Sequence, residues 1–178
     1  TRDWSSDVCS SDLAMMRDNE GTLWVMTNSG GINYMSKQSK RFSTYSLSLT
    51  GMEKADKEIG PFCEDREKNV WVGTRNGLWF FNSQTHSFHE YFLKKSNIKY
   101  DIRSLLLEGD NLWVGTYAEG LHVLNLKTGN IKSYTYSRDI PNTLCSNDVL
   151  SLFKDRKGEI FVGTSWGLCR YNPQSDRS

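Results

Sequence analysis

A chain of 178 residues is long enough for a domain with its own core, and its 22 basic and 21 acidic side chains leave a formal net charge of +1. With no long run of either sign, there is no electrostatic footprint for DNA, RNA or an anionic membrane surface, so neither nucleic acid nor membrane contact is expected of this segment. No stretch approaches the roughly 18 consecutive apolar residues of a membrane-spanning helix, and the N-terminus lacks the basic-then-apolar layout of a secretory signal.

The opening TRDWSSDVCSSDLA repeats Ser-Ser-Asp at 5–7 and 10–12 and matches nothing downstream. Residues 1–13 are therefore read as a non-native leader and set aside. From Leu23 the chain writes LWVMTNSGGINYMS, and near-copies follow: VWVGTRNGLWFFNS from Val70, LWVGTYAEGLHVLN from Leu112 and IFVGTSWGLCRYNP from Ile160. Their aromatic positions Trp24, Trp71, Trp113 and Phe161 lie 47, 42 and 48 residues apart (24 to 71, 71 to 113, 113 to 161). A period of about 45 suits one propeller blade.

Each copy follows the same order. A short apolar run such as IRSLLL (102–107) or VLSLF (149–153) leads into a turn such as RDNEGT or KDRKGE, and the repeated phrase follows. A Gly turn, a third apolar run, a further turn and a fourth run, Phe42–Tyr45, Phe88–Tyr91 or Ile131–Tyr134, complete the unit. Apolar runs punctuated by Asp and Gly turns are the grammar of hairpins, so each copy predicts a four-stranded antiparallel meander. In EIFVGT, Ile160 and Val162 point one way and Phe161 and Gly163 the other, so the strand is expected to be buried on both faces. Sheets buried on both faces must stack on neighbouring sheets. The fold class is thus all-β, a β-propeller fragment of about three and a half blades: 14–46, 47–93 and 94–137 as blades, and 138–178 as an inter-blade loop with a partial blade. Three and a half blades do not close a ring of four or more, so a longer parent chain and unpaired strand edges at the ends are expected.

The four cysteines, Cys9, Cys63, Cys145 and Cys169, include no CxxC pair, so no zinc site or redox pair is written locally. Buried free thiols are the expectation, with a single disulfide as the alternative.

The pattern in DVLSLFKDRKGEIFVGTSWGLCRYN (148–172), with its lead-in IPNTLCSND, resembles the two-component regulator propeller repeat, and the match recurs along the chain after the leader. Met26 in place of the glycine of WVGT, the shortened turn LEGDNLW without its aspartate, and Pro61 in the run EIGPFCED depart from the pattern. The resemblance implies a non-catalytic, periplasmic or extracytoplasmic sensor region of a hybrid two-component histidine kinase, with the kinase outside this segment. It further implies an unknown small ligand, carbohydrate-derived such as an oligosaccharide, or a neighbouring sensor domain as partner, and a homodimer in the full-length protein. No cofactor and no metal is expected. An interaction-scaffold propeller is the alternative, followed by a lyase or hydrolase propeller of the streptogramin lyase type, for whose catalytic His and Glu no counterpart stands out. The spacing Asp18-x-x-Gly21 differs from a sialidase Asp-box, and the Trp-Asp dipeptide of WD40 repeats is absent.

No catalytic constellation is written in the chain. His86 and His89 read as solvated outer-strand residues, because positions i and i+3 of a strand face opposite ways, and His122 reads as a hydrogen-bonded packing residue. Thr27, Thr74, Thr116 and Thr164 recur in every copy, and Trp24, Trp71 and Trp113 in three of the four, and so both read as construction. Recognition is expected where the copies differ, in the second-to-third-strand turns Asn28-Ser29, Arg75-Asn76, Tyr117-Ala118-Glu119 and Ser165-Trp166. Arg75, Asn76, Tyr117, Glu119 and Trp166 are the candidate ligand-face residues, the aromatics for stacking on a sugar ring and the charged groups for polar substituents.

Overall fold

The computed structural model describes residues 14–27, 31–36, 42–45, 59–91, 93 and 99–171. The leader, the Asn28-Ser29 turn and the loop 46–58 lie outside the described residues. The described residues form four antiparallel sheets and no helix, and the chain divides into two compact units, 1–59 and 60–178. Among the described residues, no helix is long and apolar enough to cross a membrane.

The first unit is one meander sheet, β1 (Ala14–Arg17), β2 (Leu23–Thr27), β3 (Gly31–Met35) and β4 (Phe42–Tyr45), in sequence order. Its β1–β2 turn is closed by Asp18, whose Oδ1 accepts the N–H groups of Glu20 (3.0 Å) and Thr22 (2.8 Å). Asp18 Oδ2 accepts the indole N–H of buried Trp24 at 2.9 Å, so one carboxylate serves both the turn and the strand after it.

The second unit holds three further sheets. β5 (Ile59–Glu64), β6 (Val70–Thr74), β7 (Gly77–Asn82) and β8 (Ser87–Tyr91) form one. β9 (Ile102–Glu108), β10 (Asn111–Thr116), β11 (Leu121–Asn125) and β12 (Ile131–Tyr134) form the next. β13 (Val149–Lys154), β14 (Ile160–Thr164) and β15 (Gly167–Arg170) form a three-stranded sheet. Each repeated phrase is thus the second and third strand of a blade, and the register repeats with it. Gly73 lies opposite Leu78, Gly115 opposite Leu121 and Gly163 opposite Leu168.

The repeated glycine exists because the next blade sits on it. A Cβ on Gly73 would come within 2.5 Å of Ile102 Cγ2, and one on Gly115 within 2.6 Å of Val149 Cγ1. Ile102 and Val149 open the first strands of the third and fourth blades, so a β-branched side chain seats on the glycine of the blade before. Two cores result. Trp71, Leu78, Tyr100, Ile102, Leu112 and Val114 fill the space between the second and third blades, and Trp113, Leu121, Leu144, Val149, Ile160 and Val162 that between the third and fourth. The strands β6 and β10 are buried on both faces, as the pattern predicts. β14 differs: Ile160 and Val162 are buried, while Phe161 and Gly163 on the opposite face are only half-buried.

Candidate functional site

The second-to-third-strand turns are built alike. Thr74 Oγ1 donates to the carbonyl of Gly77 (2.9 Å) and accepts the N–H of Asn76 (3.1 Å). Thr164 Oγ1 donates to Gly167 O (2.9 Å) and accepts the N–H of Trp166 (3.3 Å), and Thr116 Oγ1 donates to Gly120 O (2.7 Å). The threonines thus spend their hydroxyls on turn backbone, as expected of construction; the side chain of Thr27 lies outside the described residues.

Against that shared frame, the third blade's turn is one residue longer and places Ala118 in the left-handed region at φ 69°. A non-glycine residue there is strained and persists only where neighbours hold it. Asp148 does so, its Oδ1 accepting the N–H of Ala118 at 2.9 Å. The other oxygen of the same carboxylate accepts the hydroxyl of Ser165 at 3.2 Å, and Asp148 O accepts the N–H of Ser165 at 3.1 Å. One carboxylate therefore clamps the turn of the third blade to that of the fourth. Tyr117 and Trp166, next to the clamped residues, are 51% and 78% exposed.

The loop that supplies Asp148 is itself fixed. Ser146 Oγ accepts the N–H of Asp148 (3.1 Å) and hydrogen-bonds Ser165 Oγ (3.0 Å); Asn147 accepts the N–H of Gly120 through its carbonyl (2.9 Å) and that of Tyr136 through Oδ1 (2.7 Å). Cys145 is disulfide-bonded to Cys169 in β15, which corrects the expectation of buried free thiols for these two cysteines: the loop before β13 and the strand β15 bring them together across 24 positions. Cys63 is free, and burial pushes its thiol up to about 12, with the charge of Asp65 adding to the effect. Cys9 lies outside the described residues.

At the entrance to β9, Arg103 donates to Asp101 Oδ2 at 2.7 Å and lies over the ring of Tyr117, 5.5 Å from its centroid. The carbonyl of Asp101 accepts the N–H of Tyr117 at 2.8 Å. The structure so brings Tyr117, Glu119 and Trp166 onto two clamped turns, and adds Arg103, Asp101 and Asp148, which the comparison of turns alone did not single out. The only signal for them in the sequence is that Asp101 and Asp148 occupy the same place, just before a first strand. Arg75, exposed, and Asn76, half-buried, belong to the turn of the second blade and take no part in the Asp148 clamp.

Elsewhere the polar groups serve the scaffold. His122 is buried, with Nδ1 2.8 Å from Ser133 Oγ and its ring 5.1 Å from that of Tyr100, the packing role expected. His89 is exposed and stacks on Phe80. His86 is also exposed, but it ends the turn before β8 at φ 54° instead of lying on a strand, so the strand-face argument does not apply to it. Asp110 bridges the second and third blades; its hydrogen bond from Lys127, and then the charges of Lys127 and Arg66, hold its carboxyl below the usual range. Among the described residues, no group of three or more His, Cys, Asp and Glu could hold a metal ion.

Comparison with known proteins agrees with this architecture. Residues 143–166, from the Asp148 loop to Trp166, match the family of the two component regulator propeller. Over 105 residues, 56% of this chain, the sequence is 31% identical to Histidine kinase P4 of Formosa agariphila, of which the matched part is 8%. The extracellular domain of the hybrid two component system BT4673 from B. thetaiotaomicron superposes with a TM-score of 0.74 at 24% identity, covering 94% of this chain and 21% of that one. That of BT3049 from the same organism gives 0.73 at 21% identity, covering 98% and 24%. The chain thus spans about a fifth of these solved domains and less of the curated relative. A streptogramin B lyase gives 0.64 at 15% identity, covering 89% and 53%, which is a likeness of fold. Repeat phrase and stacked meander sheets together identify the chain as a β-propeller segment, whose residues 143–166 match the two component regulator propeller family.

Proposed function

We propose that this segment is part of a non-catalytic, extracytoplasmic sensor propeller of a hybrid two-component system, and that it contributes a ligand-reading face for a carbohydrate-derived molecule. The observation that carries the reading is the Asp148 clamp, which holds two turns with exposed aromatic side chains, Tyr117 and Trp166, in fixed relation. Aromatic faces suit the C–H faces of sugar rings, and a turn already held by hydrogen bonds loses little freedom on binding. Arg103 beside Tyr117 offers guanidinium donors to ring hydroxyls or an acidic substituent. The disulfide Cys145–Cys169 supports an oxidising compartment. Similarity to Histidine kinase P4 and to extracellular domains of two-component systems supports the sensor role.

The test is calorimetric titration with a panel of neutral and acidic oligosaccharides. Binding by one class is expected, weakened at least about tenfold (~1.4 kcal/mol) by Tyr117→Ala or Trp166→Ala with an unchanged melting midpoint. Silence across the panel, or undiminished affinity in both variants, would overturn the reading.

A further inference from the structure

The turns are not the only positions at which the blades differ on a shared frame. In β9 the register with β10 steps from Ile102↔Thr116 to Ser104↔Gly115, and in β13 the register with β14 steps from Val149↔Thr164 to Ser151↔Gly163. One extra residue therefore stands out of each ladder, Arg103 in the third blade and Leu150 in the fourth, between a β-branched residue and a serine in both. A bulge frees its extra residue from pairing and re-aims the side chain. In the third blade it is aimed at the turn: Arg103 lies over the ring of Tyr117, 5.5 Å from its centroid, and the Asp101 carbonyl fixes that turn by accepting the Tyr117 N–H at 2.8 Å. The fourth blade keeps the backbone half of this device, with the Ser165 N–H on the Asp148 carbonyl at 3.1 Å, and puts leucine in the bulge. The bulge is construction, and the side chain it carries is particular to the blade.

The charge of Arg103 is already answered. Its Nη2 donates to Asp101 Oδ2 at 2.7 Å, in an ion pair whose side chains are 35% and 24% exposed. Lys99, two residues before Asp101, is answered in turn by Glu90 at 3.2 Å. Two further carboxylates stand by Tyr117: Glu119 in the same turn, and Asp148, whose Oδ1 accepts the N–H of Ala118. Three carboxylates thus accompany one guanidinium. A uronate or sulfate brought to this place meets net negative charge, whereas a hydroxyl can accept from the remaining guanidinium N–H groups and donate to a carboxylate oxygen. With the guanidinium over one face of the Tyr117 ring, the other face is left for a sugar to stack on. We propose, resting on the sensor reading above, that Arg103 is a specificity-determining residue of the ligand-reading face, which with Tyr117 and Asp101 forms a subsite for a neutral sugar ring and against an acidic one.

Matched ligands isolate the charge. Uronic acid oligosaccharides and their carboxyl-reduced, neutral counterparts are titrated in pairs, alongside the wider panel, into the parent chain and into Arg103→Leu, Arg103→Lys and Asp101→Asn, with thermal unfolding of each as the control for folding. The parent should prefer the neutral member of a pair by at least about tenfold (~1.4 kcal/mol). Arg103→Leu, which copies the fourth blade, should weaken neutral binding by at least about tenfold. Arg103→Lys keeps a cation for Asp101 but loses the planar fork, and should weaken it as well with the melting midpoint held. Asp101→Asn should lower the preference for the neutral member by about tenfold, through tighter binding of the uronate, a gain that a loosened fold does not produce. A parent that binds both members equally or prefers the uronate, Arg103 variants that bind as the parent does, or a preference unmoved by Asp101→Asn would each overturn the proposal. Where these results come with binding that still depends on Tyr117, the sensor reading stands and the role of Arg103 alone falls; silence across the whole panel overturns both.

Discussion

The carboxylate of Asp65 accepts four hydrogen bonds. Its Oδ1 takes the N–H groups of Glu67 and Asn69, both at 2.9 Å, and its Oδ2 takes the side-chain amide of Asn69 (3.2 Å) and the indole N–H of Trp71 (2.9 Å). Asp18 and Trp24 repeat the pairing. In the fourth blade Asp155 keeps both turn bonds, and Phe161 stands where the tryptophan would be. In the third blade the two-residue turn Gly109-Asp110 provides no such carboxylate, and the buried Trp113 Nε1 has no hydrogen-bond partner among the described residues. A buried donor left unpaired already carries its desolvation cost, so removing it should be cheap. Trp71→Phe, which strips a charged acceptor of its partner, should therefore lower the unfolding free energy by about 1–3 kcal/mol, and Trp113→Phe by less than about 1 kcal/mol. Urea unfolding of the two variants measures the difference, and equal losses would refute the pairing. The Asp-x-x-Gly turns were legible in the sequence as hairpin turns. The link from turn to indole was not, because it joins residues six apart that sit on different elements and shows only in how copies lose one partner or the other.

At the scale of strands, the period and the third and fourth runs were legible because every copy repeats the same alternation of apolar runs and turns. Burial was legible only in part. EIFVGT predicts a strand covered on both sides, which β6 and β10 are, yet β14 is covered on one. A pattern states what a face requires, while burial depends on which neighbour packs against it. The glycines make this measurable. Gly115→Ala would drive a Cβ into Val149 and Ser104 and should cost about 1–3 kcal/mol, the range for overpacking a filled site. Gly163→Ala meets only Ser151, whose hydroxyl can rotate away, and should cost clearly less in the same unfolding experiment.

For the whole molecule, the division of labour between shared and differing positions is the central claim. Thr74, Thr116 and Thr164 close their turns in the same way, and the glycines just before the first two, Gly73 and Gly115, seat the next blade. Between these fixed points the turns differ in length and side chain, and a single loop aspartate fastens two of them together. The turn residues Tyr117, Glu119 and Trp166 were legible as differences between copies. Asp148 was not, since it lies outside the repeated phrase and acts through hydrogen bonds on residues 30 and 17 positions away. The most direct test exchanges the fourth blade's turn for the second blade's, Ser165→Arg with Trp166→Asn, and follows both thermal unfolding and oligosaccharide titration. The scaffold account predicts a melting midpoint within a few degrees of the parent, the size of shift expected from the two surface hydrogen bonds of the Ser165 hydroxyl, with ligand binding abolished. Binding that survives the exchange, or a collapse of stability comparable to that of Gly115→Ala, would contradict it.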